Sequence, residues 1–455
     1  MPDTPTSLPQ RMTIRDLLAI VAPGILVAAT GVGAGDLATA SFSGNKLGLA
    51  VLWAVLLGAF LKYVLSEGLT RWQLASGTTL MEGCTQHIGL PFKIIFPLYL
   101  FPWSFFVGAA LISACGVTVH AMIPIFAKAS TGKIIFGIAQ SLLGVVLIRL
   151  GGYRLFEKIM SVCIAVMFVT VCITAVLIRP DWGAVLHGAV IPTIPQMDTG
   201  GLAWTIALMG GVGGTLTIIC YGYWIREKGR TSPADLKTCR IDLGVGYVAT
   251  AIFGLAMVII GARANVAGKG AGLVVALADE LGQSLGPAGR WAFLLGAWGA
   301  VFSSLLGVWQ AVPYVFADFY SMCAGDSPEQ HKQRVGTTSR HYRWYMYGLA
   351  IIPMVSLKFG FRDIQKYYAV IGAGFMPFMA CTLLYLNGRK KLVGEKWRNR
   401  IPTVIALVAT LVFFTVAGWL QVRKKFKRPA PPPKHLVCVP VTPARAQASD
   451  QHSAK

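Results

Sequence analysis

The apolar residues of this chain of 455 residues gather into long stretches, and short polar segments, many of them basic, separate these stretches. A transmembrane helix needs about 20 mostly apolar residues, and by that criterion we count about eleven candidate spans. Their approximate bounds are 14–41, 47–72, 91–123, 134–150, 156–178, 202–224, 245–261, 291–316, 344–355, 367–386 and 401–420. The pattern predicts an all-α, polytopic membrane protein.

Two of the spans, the first and the sixth, carry a cluster of glycines near the middle. Residues 30–36 read Thr-Gly-Val-Gly-Ala-Gly-Asp, and residues 210–215 read Gly-Gly-Val-Gly-Gly-Thr. Glycine is a poor helix former, so we expect the helix to be unwound at both places. At membrane depth, unwound backbone is tolerated only where it is buried in protein or lines a cavity. One broken span in each half of the chain is typical of transporters built from inverted repeats.

The residues at these breaks offer oxygen ligands for a cation. Gly33 and Gly214 would free backbone carbonyls, and Thr215 and Thr217 add hydroxyls. Asp36 adds a carboxylate, and an acid within a membrane span is a functional-site hypothesis by default. Asp36 could also cap the half-helix that follows it, and the two roles are compatible. Carboxylate, hydroxyl and carbonyl oxygens suit hard ions such as Mg²⁺ and Mn²⁺.

The second span contains two charged residues, Lys62 and Glu67. They are a little more than one helical turn apart, which is a poor spacing for a direct ion pair. We therefore expect both side chains to reach towards the membrane interface.

The composition indicates a membrane protein, and the distribution of charge indicates the side of the membrane on which its loops lie. Only 13% of the residues are charged, against about 25% in soluble domains. We assign the net charge of +22 to cytoplasmic loops and not to nucleic-acid binding, because the loops after the sixth, eighth and tenth spans are basic and lie on one side if the N-terminus is cytoplasmic. With eleven spans, the basic segments 358–366 and 423–428 would lie on the other side, which conflicts with this rule. We expect a multi-pass protein of the cell membrane, in contact with the lipid bilayer. It would have a cytoplasmic segment 1–13, a transmembrane domain 14–423 and a disordered basic, proline-rich tail 424–455.

Several short strings resemble the natural resistance-associated macrophage protein (NRAMP) family of divalent-metal transporters. These strings are Ala-Pro-Gly-Ile-Leu-Val at 22–27, Asp-Leu-Ala-Thr at 36–39, Ala-Ser-Gly at 75–77, Phe-Met-Pro-Phe at 375–378 and Leu-Asn-Gly-Arg-Lys-Lys-Leu-Val-Gly-Glu at 386–395. The resemblance implies a leucine-transporter-like fold with two inverted five-helix repeats, about 14–180 and 200–388, and an extra helix 401–422. It also implies a metal ion bound between the broken first and sixth helices.

The chain departs from the family pattern at the metal site itself. The family's Asp-Pro-Gly-Asn string is Gly-Ala-Gly-Asp here, so Gly33 replaces the usual metal-binding Asp and Asp36 replaces the Asn. The family's Met-Pro-His string aligns with Thr217-Ile218-Ile219, which removes the thioether and the proton-linked histidine. The acids of the third helix appear as Ala110 and Ser113, and the glutamine of the tenth appears as Phe375.

These observations lead to one main hypothesis and two alternatives. The main hypothesis is a secondary transporter of a divalent metal cation, of the Mn, Mg or Fe type, working by alternating access. It needs no cofactor apart from the metal as cargo. The first alternative is a carrier of a small organic solute, such as an amino acid or an amine. The second is a non-transporting membrane sensor that signals through its tail. We do not expect an enzyme, because the sequence shows no nucleophile–base pattern, and it carries no indication of oligomeric state.

Overall fold

A computed structural model describes residues 32–197, 200–264, 270 and 272–426. Within these ranges the chain forms helices and connecting segments, without a β-strand. The described part begins with a π-helical segment, Val32–Thr39. The α-helices are α1 Ala40–Leu47, α2 Leu52–Ser76, α3 Leu80–His87, α4 Leu90–Met122, α5 Ala129–Leu177, α6 Trp182–Val190, α7 Gly201–Gly211, α8 Cys220–Glu227, α9 Leu236–Arg263, α10 Leu273–Ala324, α11 Pro328–Val335, α12 Arg340–Ile351, α13 Phe361–Ala373, α14 Phe375–Leu386, α15 Lys390–Val393 and α16 Ile401–Phe426.

Eight helical segments of the described chain are long and apolar enough to cross a membrane, or nine if one bent pair counts as a single span. The bent pair is Ala165–Leu177 with Trp182–Val190, at an angle of 118°. It corresponds to the fifth predicted span, which the structure joins to the fourth in the single helix α5. The number of predicted spans, about eleven, is therefore larger than the number that the described residues form.

Two further predicted spans account for the rest of the difference. Most of the first span lies outside the described residues, and its remainder continues into the second as one segment, Asp36–Ser76. The ninth span is only the short helix α12 followed by the 3₁₀ segment Ile352–Lys358. Pro353 stands in the first turn of that segment, where its missing N–H prevents the α-helix from continuing.

The sixth predicted span is broken at its glycines, as the sequence indicates. Helix α7 ends at Gly211, and the chain becomes helical again only in the 3₁₀ turn Leu216–Ile219, which leads into α8. Gly213 and Gly214 have φ angles of +78° and +80°, in the left-handed region that side chains with a Cβ avoid. The break is therefore a property of these two residues.

Close backbone contacts fix the segment that follows the first glycine cluster. A Cβ atom on Gly44 of α1 would lie 2.2 Å from the carbonyl oxygen of Val258, and one on Gly261 would lie 2.3 Å from that of Ser41. Helices α1 and α9 thus touch backbone to backbone, which is how small residues let membrane helices pack. This contact holds the chain just after Asp36 in place.

The predicted ends of the chain are only partly within the described residues. Helix α16 continues to Phe426, three residues into the segment that we predicted to be a disordered tail. Residues 1–31 and 427–455 lie outside the described ranges, so the predicted N-terminal segment and most of the tail stay predictions.

Candidate functional site at a helix break

At the first glycine cluster the described residues form the π-helical segment Val32–Thr39, so the unwinding predicted there is not seen within them. Asp36 joins this segment to the break at Gly213 and Gly214. Its side chain is fully buried, and Oδ2 accepts a hydrogen bond of 3.2 Å from the backbone N–H of Gly213. The residue lies inside the π-helical turn, and α1 begins only at Ala40, whose preceding residue Thr39 makes no side-chain cap. The alternative interpretation of Asp36 as a cap of its own half-helix is therefore wrong, because its hydrogen bond goes to Gly213, at the break in the sixth predicted span.

One oxygen of this carboxylate has no partner. Oδ1 of Asp36 is buried and accepts no hydrogen bond, and the nearby hydroxyl of Thr39 is also buried without a partner. Leaving a buried polar group unpaired costs about 1–3 kcal/mol, and more for a charged group. Such atoms in a native fold call for an explanation, and a ligand that binds there provides one. The side chain of Thr39 faces Gly211, on which a Cβ would lie 3.3 Å away.

Thr215 is already engaged by two other helices. Its Oγ1 accepts a hydrogen bond of 2.8 Å from Nε1 of Trp103 in α4. Its Cγ2 packs against Gly372 of α13, where an added Cβ would lie 2.6 Å from it. Thr215 therefore holds the second break against two neighbouring helices, and its hydroxyl is less available to a ligand than the sequence suggests.

The other predicted site residues differ in what surrounds them. Thr217 is buried and its Oγ1 has no partner, so its hydroxyl is available, although no contact joins it to Asp36. Gly214 lies in the unwound segment next to Gly213. Gly33 lies in the π-helical turn that carries Asp36, and its surroundings are outside the described residues. The structure thus brings Asp36, Gly213, Gly214 and Thr215 together.

Lys62 is the site residue that our sequence analysis missed. It does not reach the interface, since its side chain is fully buried in α2. Its Nζ donates a hydrogen bond of 2.8 Å to the carbonyl oxygen of Gly210, and a second one to that of Val212. Lys62 and Asp36 interact electrostatically. A lysine within a membrane span is itself a signal of function, and that signal was available in the sequence.

Glu67, the other charged residue of the second span, lies in a cluster with Arg240, whose side chain is 44% exposed. It pairs with Arg71 at 3.3 Å and with Arg240 of α9 at 2.6 Å. Arg71 in turn donates to the backbone carbonyls of Trp397 and Arg398. This ion-pair cluster joins α2 to α9 and to the segment before α16.

Ion pairs and a hydrogen bond join helices α3, α8, α10 and α11 at the end of the molecule that lies beyond α8. Arg226 of α8 pairs with Glu82 of α3 at 3.5 Å, and Tyr223 donates a hydrogen bond to Asp318 of α10. His331 of α11 pairs with the same Asp318 at 3.2 Å. The hydrogen bond to Asp318 raises the pKa of His331 above its ordinary value of 6.5, and partial burial opposes this rise.

The donors at Asp36 and at the break around Gly213 and Gly214 define what the site can bind. In the part of the chain that the structure describes, His, Cys, Asp and Glu side chains form no group of three or more that could hold a metal ion. A cation at this site would instead meet one carboxylate, hydroxyls and backbone carbonyls, together with water. This is the ligand set of a hard, partly hydrated ion.

Comparison with known sequences identifies the family. The sequence pattern described as "Natural resistance-associated macrophage protein-like" matches residues 24–423. An uncharacterized protein of Pasteurella multocida is 26% identical over 258 residues, which are 56% of this chain and 58% of that protein. The divalent metal cation transporter MntH of Caldanaerobacter subterraneus is 23% identical over 312 residues, which are 64% of this chain and 69% of that protein. This chain thus spans little more than half the length of the Pasteurella protein.

Solved structures confirm the predicted fold class. A mutant of the Eremococcus coleocola manganese transporter matches with a TM-score of 0.68 and 16% identity, covering 92% of this chain and 89% of that one. MhsT in complex with L-phenylalanine matches with a TM-score of 0.59 and 13% identity, covering 90% and 98%. The protein is a multi-pass membrane protein with the leucine-transporter-like fold, and the chain belongs to the natural resistance-associated macrophage protein-like family.

Proposed function

We propose that this protein is a secondary transporter that moves a divalent metal cation across the cell membrane by alternating access, with Asp36 as its charged ligand. The observation that carries the proposal is the buried carboxylate oxygen of Asp36 that lies without a partner beside the helix break at Gly213. A buried acid of this kind is retained where it serves a ligand. The relatives named as MntH divalent metal cation transporters and the manganese transporter of the same fold support the metal as cargo.

The donor set narrows the cargo to a hard ion. Neither a thioether nor a histidine stands at the second break, where the residues are Thr217, Ile218 and Ile219. The ion would be Mg²⁺ or Mn²⁺ that keeps part of its water, because oxygen ligands prefer such ions and Mg²⁺ dehydrates reluctantly. Fe²⁺ fits this donor set less well.

Alternating access requires the two broken helices to hinge at their glycines. The ion pairs between Arg226 and Glu82 and between His331 and Asp318 would then open and close one entrance. Contacts place the basic segments around Arg226, Arg334 and Arg398 at this end of the molecule. We assign this end to the cytoplasm, with the N-terminus on the same side, because basic residues are enriched in cytoplasmic loops.

The test is uptake into liposomes loaded with a dye that responds to divalent ions. Wild-type protein should give saturable influx of Mn²⁺ or Mg²⁺, and Asp36→Asn should reduce the influx to background. The control is Glu395→Gln, which removes an exposed carboxylate that pairs with Lys390 at the surface, and it should transport normally. Equal influx with the wild type and Asp36→Asn would contradict the proposal.

One observation favours a second candidate, a carrier of a small zwitterion. Asp36 and Lys62 are both buried and bind two consecutive residues, Gly213 and Val212, and such a pair of opposite charges is complementary to a substrate with an amine and a carboxylate. In this case amino acids would compete for uptake and divalent ions would not. The same liposomes therefore separate the two candidates.

A further inference from the structure

The ammonium group of Lys62 occupies a place that suits a cation. Its two acceptors, the carbonyls of Gly210 and Val212, lie where α7 ends and the backbone unwinds. Carbonyls at the C-terminus of a helix have no partner within the helix and carry partial negative charge. A positive charge placed there is stabilised, whether it belongs to an ion or to a side chain.

The same short segment also holds the carboxylate. The N–H of Gly213 donates to Asp36, while the carbonyl of the preceding residue, Val212, accepts from Lys62. Gly213 also packs against Lys62 itself, since a Cβ on it would lie 3.5 Å from Cδ of Lys62. The centre therefore carries one negative and one positive side chain, and its formal charge is close to zero.

We propose that Lys62 is a resident cation of the transport site, and that a cargo cation must displace its ammonium from the carbonyls of Gly210 and Val212. Because it names what competes with the cargo, this inference rests on the proposed function. When the ammonium is in place, a divalent ion near Asp36 meets a like charge at short range, and this repulsion weakens binding. When the cargo leaves, Lys62 returns to the carbonyls and neutralises Asp36. Lys62 thus keeps the affinity of the transport site for its cargo cation low, so that a metal ion does not become trapped there.

The first test is metal binding to purified protein in detergent, measured by calorimetry with Mn²⁺ and Mg²⁺. Lys62→Met keeps the length of the side chain and removes its charge, so it should bind the ion about tenfold more tightly, or better. Lys62→Arg keeps the charge and should bind weakly, as the wild type does. Unchanged or lost affinity in Lys62→Met would overturn the proposal.

A second buried lysine provides the matched control. Lys133 of α5 is almost completely buried and donates from Nζ to the backbone carbonyl of Phe359 at 2.5 Å. Lys133→Met therefore removes a buried ammonium from a carbonyl away from the helix breaks, and metal affinity should not change. Equal tightening in both variants would show a general effect of net charge and would contradict a specific role of Lys62.

A third measurement separates this inference from the proposed function. Lys62→Ala empties the space of the ammonium but keeps the carbonyls and Asp36, so methylammonium should raise its melting temperature in a concentration-dependent way. The wild type and Lys133→Ala should show no such rise. If methylammonium stabilises Lys62→Ala while no divalent ion is transported, the result supports Lys62 as a resident cation and contradicts the proposed metal transport. If metal is transported but methylammonium has no effect on Lys62→Ala, the result contradicts Lys62 as a resident cation and supports the proposed metal transport.

Discussion

Two groups of buried charges lie along helix α2, and they differ in how they are satisfied. Glu67 forms direct ion pairs with Arg71 at 3.3 Å and with Arg240 at 2.6 Å. Lys62, little more than one turn away, interacts with Asp36 but donates its hydrogen bonds to backbone carbonyls. At the same centre, one oxygen of Asp36 is left without a partner.

This difference separates a structural cluster from a ligand site. Direct pairing of opposite charges, with hydrogen bonds to backbone carbonyls around them, holds helices together and leaves little for a ligand to gain. Charges that rest on an unwound backbone, with an acceptor atom unused, can exchange their partners without breaking the fold. We therefore expect substitutions at Glu67 and Arg71 to change stability, and substitutions at Lys62 and its neighbour Asp36 to change transport.

The largest expected effect is that of Asp36→Asn on transport. We expect divalent-ion uptake to fall about 100-fold, which corresponds to about 2.7 kcal/mol, because the only side-chain charge of the ligand set disappears. The free energy of unfolding should change little, since removing a buried charge with an unpaired oxygen offsets the lost counter-charge of Lys62, whose ammonium keeps its two carbonyl acceptors. Uptake assays and thermal melting on the same preparation test both statements, and a variant that is destabilised but transports normally would reverse our assignment.

The opposite result is expected for Glu67→Gln. Removing the carboxylate leaves Arg71 and Arg240 without their partner, which costs about 2 kcal/mol of stability after allowing for the partial exposure of Arg240. Uptake per folded molecule should be unchanged. Melting curves measure the loss of stability, and Glu395→Gln, from an exposed pair, should lose less than about 0.5 kcal/mol. A selective loss of transport in Glu67→Gln would remove the distinction between the two regions.

Two glycines with nearly the same backbone angle sharpen the comparison further. Gly213 has φ +78° in the second break, and Gly229 has φ +72° just after α8. Gly213→Ala and Gly229→Ala should each lose about 1 kcal/mol of stability from left-handed strain. A Cβ would lie 3.2 Å from the side chain of Thr250 at Gly213, but it would meet nothing within 4 Å at Gly229. Only Gly213→Ala should therefore reduce uptake, and equal uptake in both variants would contradict the placement of the site.

Much of the fold could be predicted from the sequence, because the effect of a glycine cluster or of an apolar stretch depends on those residues themselves and not on distant contacts. The break at Gly213 and Gly214 follows from the residues themselves, so it could be predicted without knowledge of the neighbours. The number of spans was less predictable, because length and hydropathy do not show that Pro353 ends α12 after three turns or that α5 and α6 bend sharply.

The site was only partly predictable, because its roles depend on contacts between distant parts of the chain. Asp36 was found from its position in a span, but its partner, the N–H of Gly213, is 177 residues away. Thr215 and Thr217 look equivalent in the sequence, yet Trp103 engages only the first. Lys62 was assigned to the interface by the general behaviour of lysine, which fails where carbonyls from a broken helix offer a buried partner.

The smallest effect that we predict is a pH dependence at the end of the molecule beyond α8. His331 pairs with Asp318, and its pKa is raised above 6.5, mainly by the hydrogen bond to that carboxylate. A raised pKa in the folded state means that the charged pair contributes its full stability below pH 6.5, and loses it as the pH rises through the raised value. The contribution should be below about 1 kcal/mol, because the histidine side chain is partly exposed. Melting temperatures of the wild type should fall across this window relative to those of His331→Gln, and parallel curves would show that the pair does not help to close this end.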